Sequence, residues 1–131
     1  MSLGPQGKRI LIVDDEVDIT SALKKGMETK GFLVDAHNAP TEAIRRFKPN
    51  TYSLAILDVR MPEMSGFELY RELKKLDGNL NFFFFTAIDI YPSEFERIFP
   101  DVNVKAFIKK PISLSQLVIQ LNLVADRPAK A

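Results

Sequence analysis

The sequence predicts an α/β fold in which a parallel sheet is covered by helices on both faces. Three observations carry that expectation. Short apolar runs of mainly β-branched or aromatic residues recur along the chain. Between them lie segments whose apolar residues repeat every three or four positions. The two patterns alternate from one end to the other, which is the signature of successive strand–helix units. The 131 residues are 46% hydrophobic and 27% charged, enough for one domain with a true core.

Ile10-Leu11-Ile12-Val13 reads as a fully buried first strand, and it runs straight into Asp14-Asp15-Glu16. Ile19, Leu23 and Met27 then recur every four residues among Lys24, Lys25, Glu28 and Lys30, an amphipathic helix stopped by Gly31. Phe32, Val34 and Ala36 alternate as a second strand. Ala43, Ile44 and Phe47 form the next helical face, ending at Pro49-Asn50. Leu54-Ala55-Ile56-Leu57 is a third strand, and it too leads directly into an acid, Asp58. Pro62 and Gly66 break the chain before a helix with the stripe Leu69, Tyr70, Leu73 and Leu76, closed by Asp77-Gly78-Asn79.

Phe82 to Phe85 suits a central strand, and its rings read as core and not as a cofactor platform. From Ile88 to Asn103 the pattern is weak, with Pro92 and Pro100 bracketing two turns of helix at most. Ala106-Phe107-Ile108 is a fifth strand, cut by Lys109-Lys110-Pro111. Ser113 and Gln116 then make a capping box before a last helix bearing Leu114, Leu117, Val118, Leu121 and Val124. Five strands in this alternation specify an α/β fold with a parallel sheet covered on both faces. Among such folds the expected arrangement is a flavodoxin-like (βα)5 three-layer sandwich of strand order 2-1-3-4-5, an order that rests in part on family resemblance, with its functional edge at the carboxyl end of the strands. Residues 8–125 form the domain. Met1 to Gly7 read as a flexible leader or expression remnant, and residues 126–131 as a tail or the start of a linker.

Composition narrows the function. Eighteen basic against seventeen acidic residues leave a formal charge of +1, so no nucleic-acid or membrane-surface binding is expected of this domain. With no cysteine and only His37, thiol catalysis, disulfides, thiolate zinc sites and multi-histidine metal sites are excluded. His37 reads as an exposed strand-end residue. No run approaches the ~18 apolar residues of a membrane span, and a cytoplasmic location is expected.

In the predicted sheet Asp14, Asp15, Asp58, Thr86 and Lys110 follow four different strands and become neighbours at one edge. Converging carboxylates repel one another unless protonated or bound to a hard cation. An all-oxygen donor set points to Mg2+. Adding a lysine and a hydroxyl makes a phosphoryl site, in which a central carboxylate, here Asp58, can act as nucleophile. Taken alone, Asp14-Asp15-Glu16 also suits an acid-rich helix N-terminus.

Four ordered blocks carry a resemblance: Ile-Leu-Ile-Val-Asp14-Asp15-Glu16, Leu57-Asp58-Val59-Arg60-Met61-Pro62 with Gly66, Thr86-Ala87, and Lys110-Pro111. From about Lys8 to Val124 the chain resembles the receiver domain of two-component response regulators. The resemblance implies that Asp58 is the phosphoacceptor, and that Asp14, Asp15, Asp58 and the backbone carbonyl of Arg60 hold Mg2+. It further implies that Lys110, Thr86 and the Ala87 backbone bind the phosphoryl group, that Thr86 and Phe107 are the switch pair, and that Pro111 follows a cis peptide. The implied donor is a sensor histidine kinase or a histidine phosphotransfer protein. The implied output is a downstream protein or an effector domain beyond this chain.

The stretch between Thr86 and Lys110 departs from the family pattern, with Asn103-Val104 in place of a small pair. Arg60 and Ile88 stand at the two positions that tune phosphate lifetime in the family, and neither orients water well, so slow self-dephosphorylation is expected. Ile119 and Leu123 lie off the main stripe of the last helix, either as scattered apolar residues or as a dimer or partner face formed on phosphorylation. The protein is read as a signalling module and not an enzyme. The alternatives are a magnesium-dependent phosphatase of the haloacid dehalogenase type, weakened because Arg60 occupies the place of its second acid, and a receiver that docks without phosphorylation.

Overall fold

A computed structural model describes residues 8–87, 97, 107–110 and 113–124. In chain order the described elements are β1 (Arg9–Val13), α1 (Val17–Thr29), β2 (Leu33–His37), α2 (Pro40–Arg46), β3 (Leu54–Asp58), α3 (Gly66–Leu76), β4 (Asn81–Thr86), β5 (Phe107–Lys109) and α4 (Leu114–Val124). The weak stretch from Ile88 to Asn103 lies outside the described residues apart from Arg97, as do Val104 to Ala106 and Pro111.

All four strand pairings are parallel and the order is β2-β1-β3-β4-β5, as the alternation predicts. Register sets the faces. Ile10, Leu54 and Ile12, Ile56 pair across β1 and β3 and face one core layer with Leu23, Met27, Phe83, Phe85, Ile108 and Leu117. Leu11, Ala55 and Val13, Leu57 face the other layer, with Ala43, Leu69, Leu73 and Phe84. All five residues of β3 are buried, so this strand carries no solvent face and its last residue, Asp58, is taken into the interior with it.

An aromatic wall closes the second layer. Tyr70 meets Phe82 edge-on at 4.6 Å between ring centroids, Phe67 meets Phe84 at 4.9 Å, and Phe107 stands against Phe84 at 5.4 Å and Phe67 at 6.1 Å. Such edge-to-face and tilted pairs add ~0.5–1.5 kcal/mol each beyond area burial.

Several expectations are corrected. Phe47 leaves the helix: its φ of −65° and ψ of 138° are extended, and α2 ends at Arg46. The ring still reaches the core, 5.6 Å from Tyr52. Leu76 closes α3 46% exposed, because the helix ends before its last turn returns to the sheet. In α1 it is Thr20, with Leu23 and Met27, that is buried, while Ile19 is only partly covered. His37 is half-buried beside Asp35 and Glu42 and not exposed, and that burial lowers its pKa more than the two acids raise it.

Helix α3 opens with a capping box that the sequence reading missed, Ser65 accepting from the Glu68 N–H and Glu68 accepting from the Ser65 N–H. At α4 the Ser113 hydroxyl accepts from the Gln116 N–H at 3.2 Å, half of the predicted box. Ile119 on α4 is 60% exposed.

Candidate functional site

Each strand end at the carboxyl edge delivers its residue by a simple route. Asp14 follows β1 directly and is 1% exposed; Asp58 is the last residue of β3 and is 5% exposed. Asp15, one residue further into the turn, is exposed. Lys110 follows β5, and its N–H donates to the Thr86 carbonyl at 2.7 Å, so β4 holds the lysine backbone in register with the buried Thr86.

The Lys110 ammonium is the hub. Its Nζ lies 2.8 Å from Asp14 Oδ2, 3.3 Å from Glu16 Oε1 and 3.4 Å from Asp58 Oδ1, and it sits over the Phe85 ring at 5.2 Å. Three carboxylates against one ammonium leave a negative excess, and two of them, Asp14 and Asp58, are buried while Glu16 is exposed. Asp58 feels it: burial, then the Asp14 charge, push its carboxyl from an ordinary 3.8 up to about 7 against the pull of Lys110. Burial disfavours the Lys110 charge, yet the bond to Asp14 and the charges of Asp14 and Asp58 outweigh it and hold the ammonium above its ordinary value.

Asp14, Asp15 and Asp58 each offer a carboxylate oxygen, and these oxygens lie within 4.8 Å of one another. Asp14 Oδ2 is buried and, beyond its ion contact with Lys110, receives no hydrogen bond among the described residues. An electron-rich, under-satisfied, all-oxygen cluster of this kind fits a hard divalent cation such as Mg2+.

The turn after β3 is built around a close approach. Gly66 opens α3, and its N–H donates to the Val59 carbonyl at 2.9 Å. A Cβ at Gly66 would lie 2.2 Å from the Asp58 carbonyl oxygen, so only a residue without a side chain lets the helix start here. Arg60 is exposed and Glu63 adopts a positive φ of 75° in the same turn. Ala87, after β4, is exposed, and Phe107 is turned inward against the aromatic wall.

The structure thus brings together Asp14, Asp15, Asp58 and Lys110, with Thr86 and Ala87 on the adjoining strand end. Two members of the site were not singled out in the sequence. Glu16, read only as part of an acidic run, contacts Lys110, and Asn38, a polar residue in a turn, bonds the backbone of Asp14. Nothing local in the sequence marks either contact, since both join segments distant along the chain.

Residues 10–122 match the family model of the response regulator receiver domain. The response regulator SaeR of Staphylococcus aureus is 30% identical over 122 residues, 92% of this chain and 52% of that protein. The chain therefore spans about half the length of such curated relatives. Among solved structures, the non-phosphorylated HemR receiver domain of Leptospira biflexa is 28% identical with a TM-score of 0.81, covering 95% of this chain and 98% of that one. The response regulator TrrA of Thermotoga maritima, solved in complex with Mg2+ and BeF, is also 28% identical, with a TM-score of 0.71 over 89% of this chain and 98% of that one. Among the described residues no helix is long and apolar enough to cross a membrane.

Proposed function

The chain belongs to the response regulator receiver domain family, and on that premise we propose that it is the phosphoacceptor module of a His-Asp phosphorelay, switched by phosphorylation of Asp58. The observation that carries this reading is the placement of a single ammonium, Lys110, 2.8 Å from Asp14 and 3.4 Å from Asp58 where three carboxylates converge. Asp14, Asp15, Asp58 and the backbone carbonyl of Arg60 would hold Mg2+, which supplies charge neutralisation for a transferring phosphoryl group.

The roles of the chain's own groups follow. A carboxylate oxygen of Asp58 attacks phosphorus while the bond from phosphorus to the donor's leaving atom breaks, its electron pair departing with the donor. That attack needs the ionised carboxylate. Burial and the Asp14 charge favour the neutral acid at Asp58, so neutralising the surrounding charge is what readies it. Lys110 is placed to pair with a phosphoryl oxygen on Asp58, and the Thr86 hydroxyl and Ala87 N–H are the donors at the next strand end. Phe107, inward against Phe84 and Phe67, is the ring that would follow Thr86. The donor is a sensor histidine kinase or a histidine phosphotransfer protein, and the output is a downstream protein or an effector domain. The module catalyses only its own phosphoryl transfer and loss.

Incubation with acetyl phosphate and Mg2+, followed by intact mass, tests this. A stable adduct of about 80 Da, one HPO3, that is absent from Asp58→Asn is expected. Turnover of small phosphate esters without an adduct would instead mark a phosphatase, and neither outcome a docking module. With the exposed Arg60 two residues after Asp58, the adduct should decay slowly. A half-life of seconds in Mg2+ would refute that.

A further inference from the structure

We propose that Asn38 is a positioning residue for the metal-binding acids, gripping the peptide that joins Asp14 to Asp15; this rests on the reading of those acids as Mg2+ ligands given above. The Asp14 backbone lies between two regular elements and is served fully by neither. β1 has ended at Val13, and the first α1 donors, the N–H groups of Ile19 and Thr20, go to the Glu16 carbonyl. Both polar groups of Asp14 are instead taken by the last residue of β2 and the residue that follows it. Its N–H donates to the His37 carbonyl at 3.1 Å, and its carbonyl accepts from Asn38 Nδ2 at 2.9 Å.

The second hydrogen bond of the same amide fixes its direction. Asn38 Nδ2 also donates to Thr20 Oγ1 at 2.8 Å, and the Thr20 hydroxyl donates to the Val17 carbonyl at 3.1 Å. The Thr20 proton is thereby committed, its oxygen is an acceptor, and the amide faces two acceptors with its NH2 group. Thr20 is 3% exposed, so the anchor is held in the core although Asn38 is exposed. Because the peptide unit is planar, orienting the Asp14 carbonyl orients the N–H of Asp15 as well. One side chain thus sets the direction from which both acids leave the backbone, while Glu16 N–H and Lys110 fix the Asp14 carboxylate beyond it.

Partners behind metal ligands typically govern ~10–100-fold of metal affinity, and one acting through a backbone carbonyl belongs at the lower end. The test is a Mg2+ titration of the whole chain followed by amide NMR shifts of Asp14, Asp58 and Lys110, with thermal unfolding of the metal-free protein alongside. Asn38→Ala should weaken Mg2+ about tenfold, and Thr20→Val, which leaves the amide with one partner, about threefold. A purely structural role would lower the unfolding midpoint without moving Mg2+ affinity. An Asn38→Ala affinity within about twofold of wild type overturns the inference alone. Should that variant fail to fold, an unchanged Mg2+ affinity in Thr20→Val overturns it equally. A wild-type chain that binds no Mg2+ would overturn the metal reading and this inference with it.

Discussion

Two charged regions of this molecule are opposites in how their charges are balanced. A groove of about 810 Å3 along the β2 edge is lined by Arg9, Lys24, Arg45, Arg46 and Lys48, with Asp35 between them. Its neighbouring acids are matched. Arg9 pairs with Asp35 at 2.9 Å, Tyr52 donates to the same carboxylate at 2.7 Å, Lys24 pairs with Glu28 at 2.9 Å, and Arg45 and Arg46 both hold Glu42. The two arginines hold the Glu42 carboxyl down at about 2. At the carboxyl edge three acids share one lysine, and Asp58 is pushed up to about 7. The groove's acids have found their partners inside the chain. The site's three acids have one lysine among them, and a cation and a phosphoryl group are the partners that would complete the set.

The sharpest way to break this contrast is to remove the shared ammonium. Lys110→Ala should lower the rate of adduct formation with acetyl phosphate by more than about 100-fold, read by intact mass. It should also destabilise the metal-free protein by about 3 kcal/mol at pH 8 in urea unfolding, because Asp14 and Asp58 are left buried and uncompensated. Next in size is Gly66→Ala, whose Cβ meets backbone and not a flexible side chain. A loss of about 3 kcal/mol in the same experiment is expected.

A pH series sharpens the comparison further. Between about pH 4 and 7 the unfolded chain gives up the Asp58 proton while the folded, metal-free chain keeps it. The folded state then binds more protons, so stability falls as pH rises through that window and levels above it. Asp58→Asn should remove this slope, as should saturating Mg2+. Tyr52→Phe, in the β2-edge groove, should cost about 1 kcal/mol through the Asp35 bond and leave adduct formation unchanged. Smallest of all, Glu42→Gln on the exposed face of α2 should change the adduct rate by less than about twofold.

The sequence made one kind of information plain and hid another. Ile10 to Val13, Leu54 to Leu57 and Phe82 to Phe85 are unbroken apolar runs because their strands are covered on both faces, so strand position and the residue that follows each strand could be read directly. Asp14, Asp15, Asp58 and Lys110 were legible for that reason. Phe47 and Leu76 misled because apolar spacing cannot tell a buried helical position from an extended residue or from the exposed last residue of a helix. Asn38 and Glu16 were invisible because their partners come from distant segments, and a polar residue in a turn carries no sign of what it will meet.

The missing methyl at Gly66 has a mechanical consequence. With the first residue of α3 resting on the Asp58 carbonyl, β3 and that helix are seated without clearance, and neither can slide toward the other. This makes one flank of the site an anvil. For the proposed phosphorylation of Asp58, this backbone contact is a fixed reference on the α3 side, and the proposed switch pair, Thr86 and Phe107, stands on the β4 and β5 side.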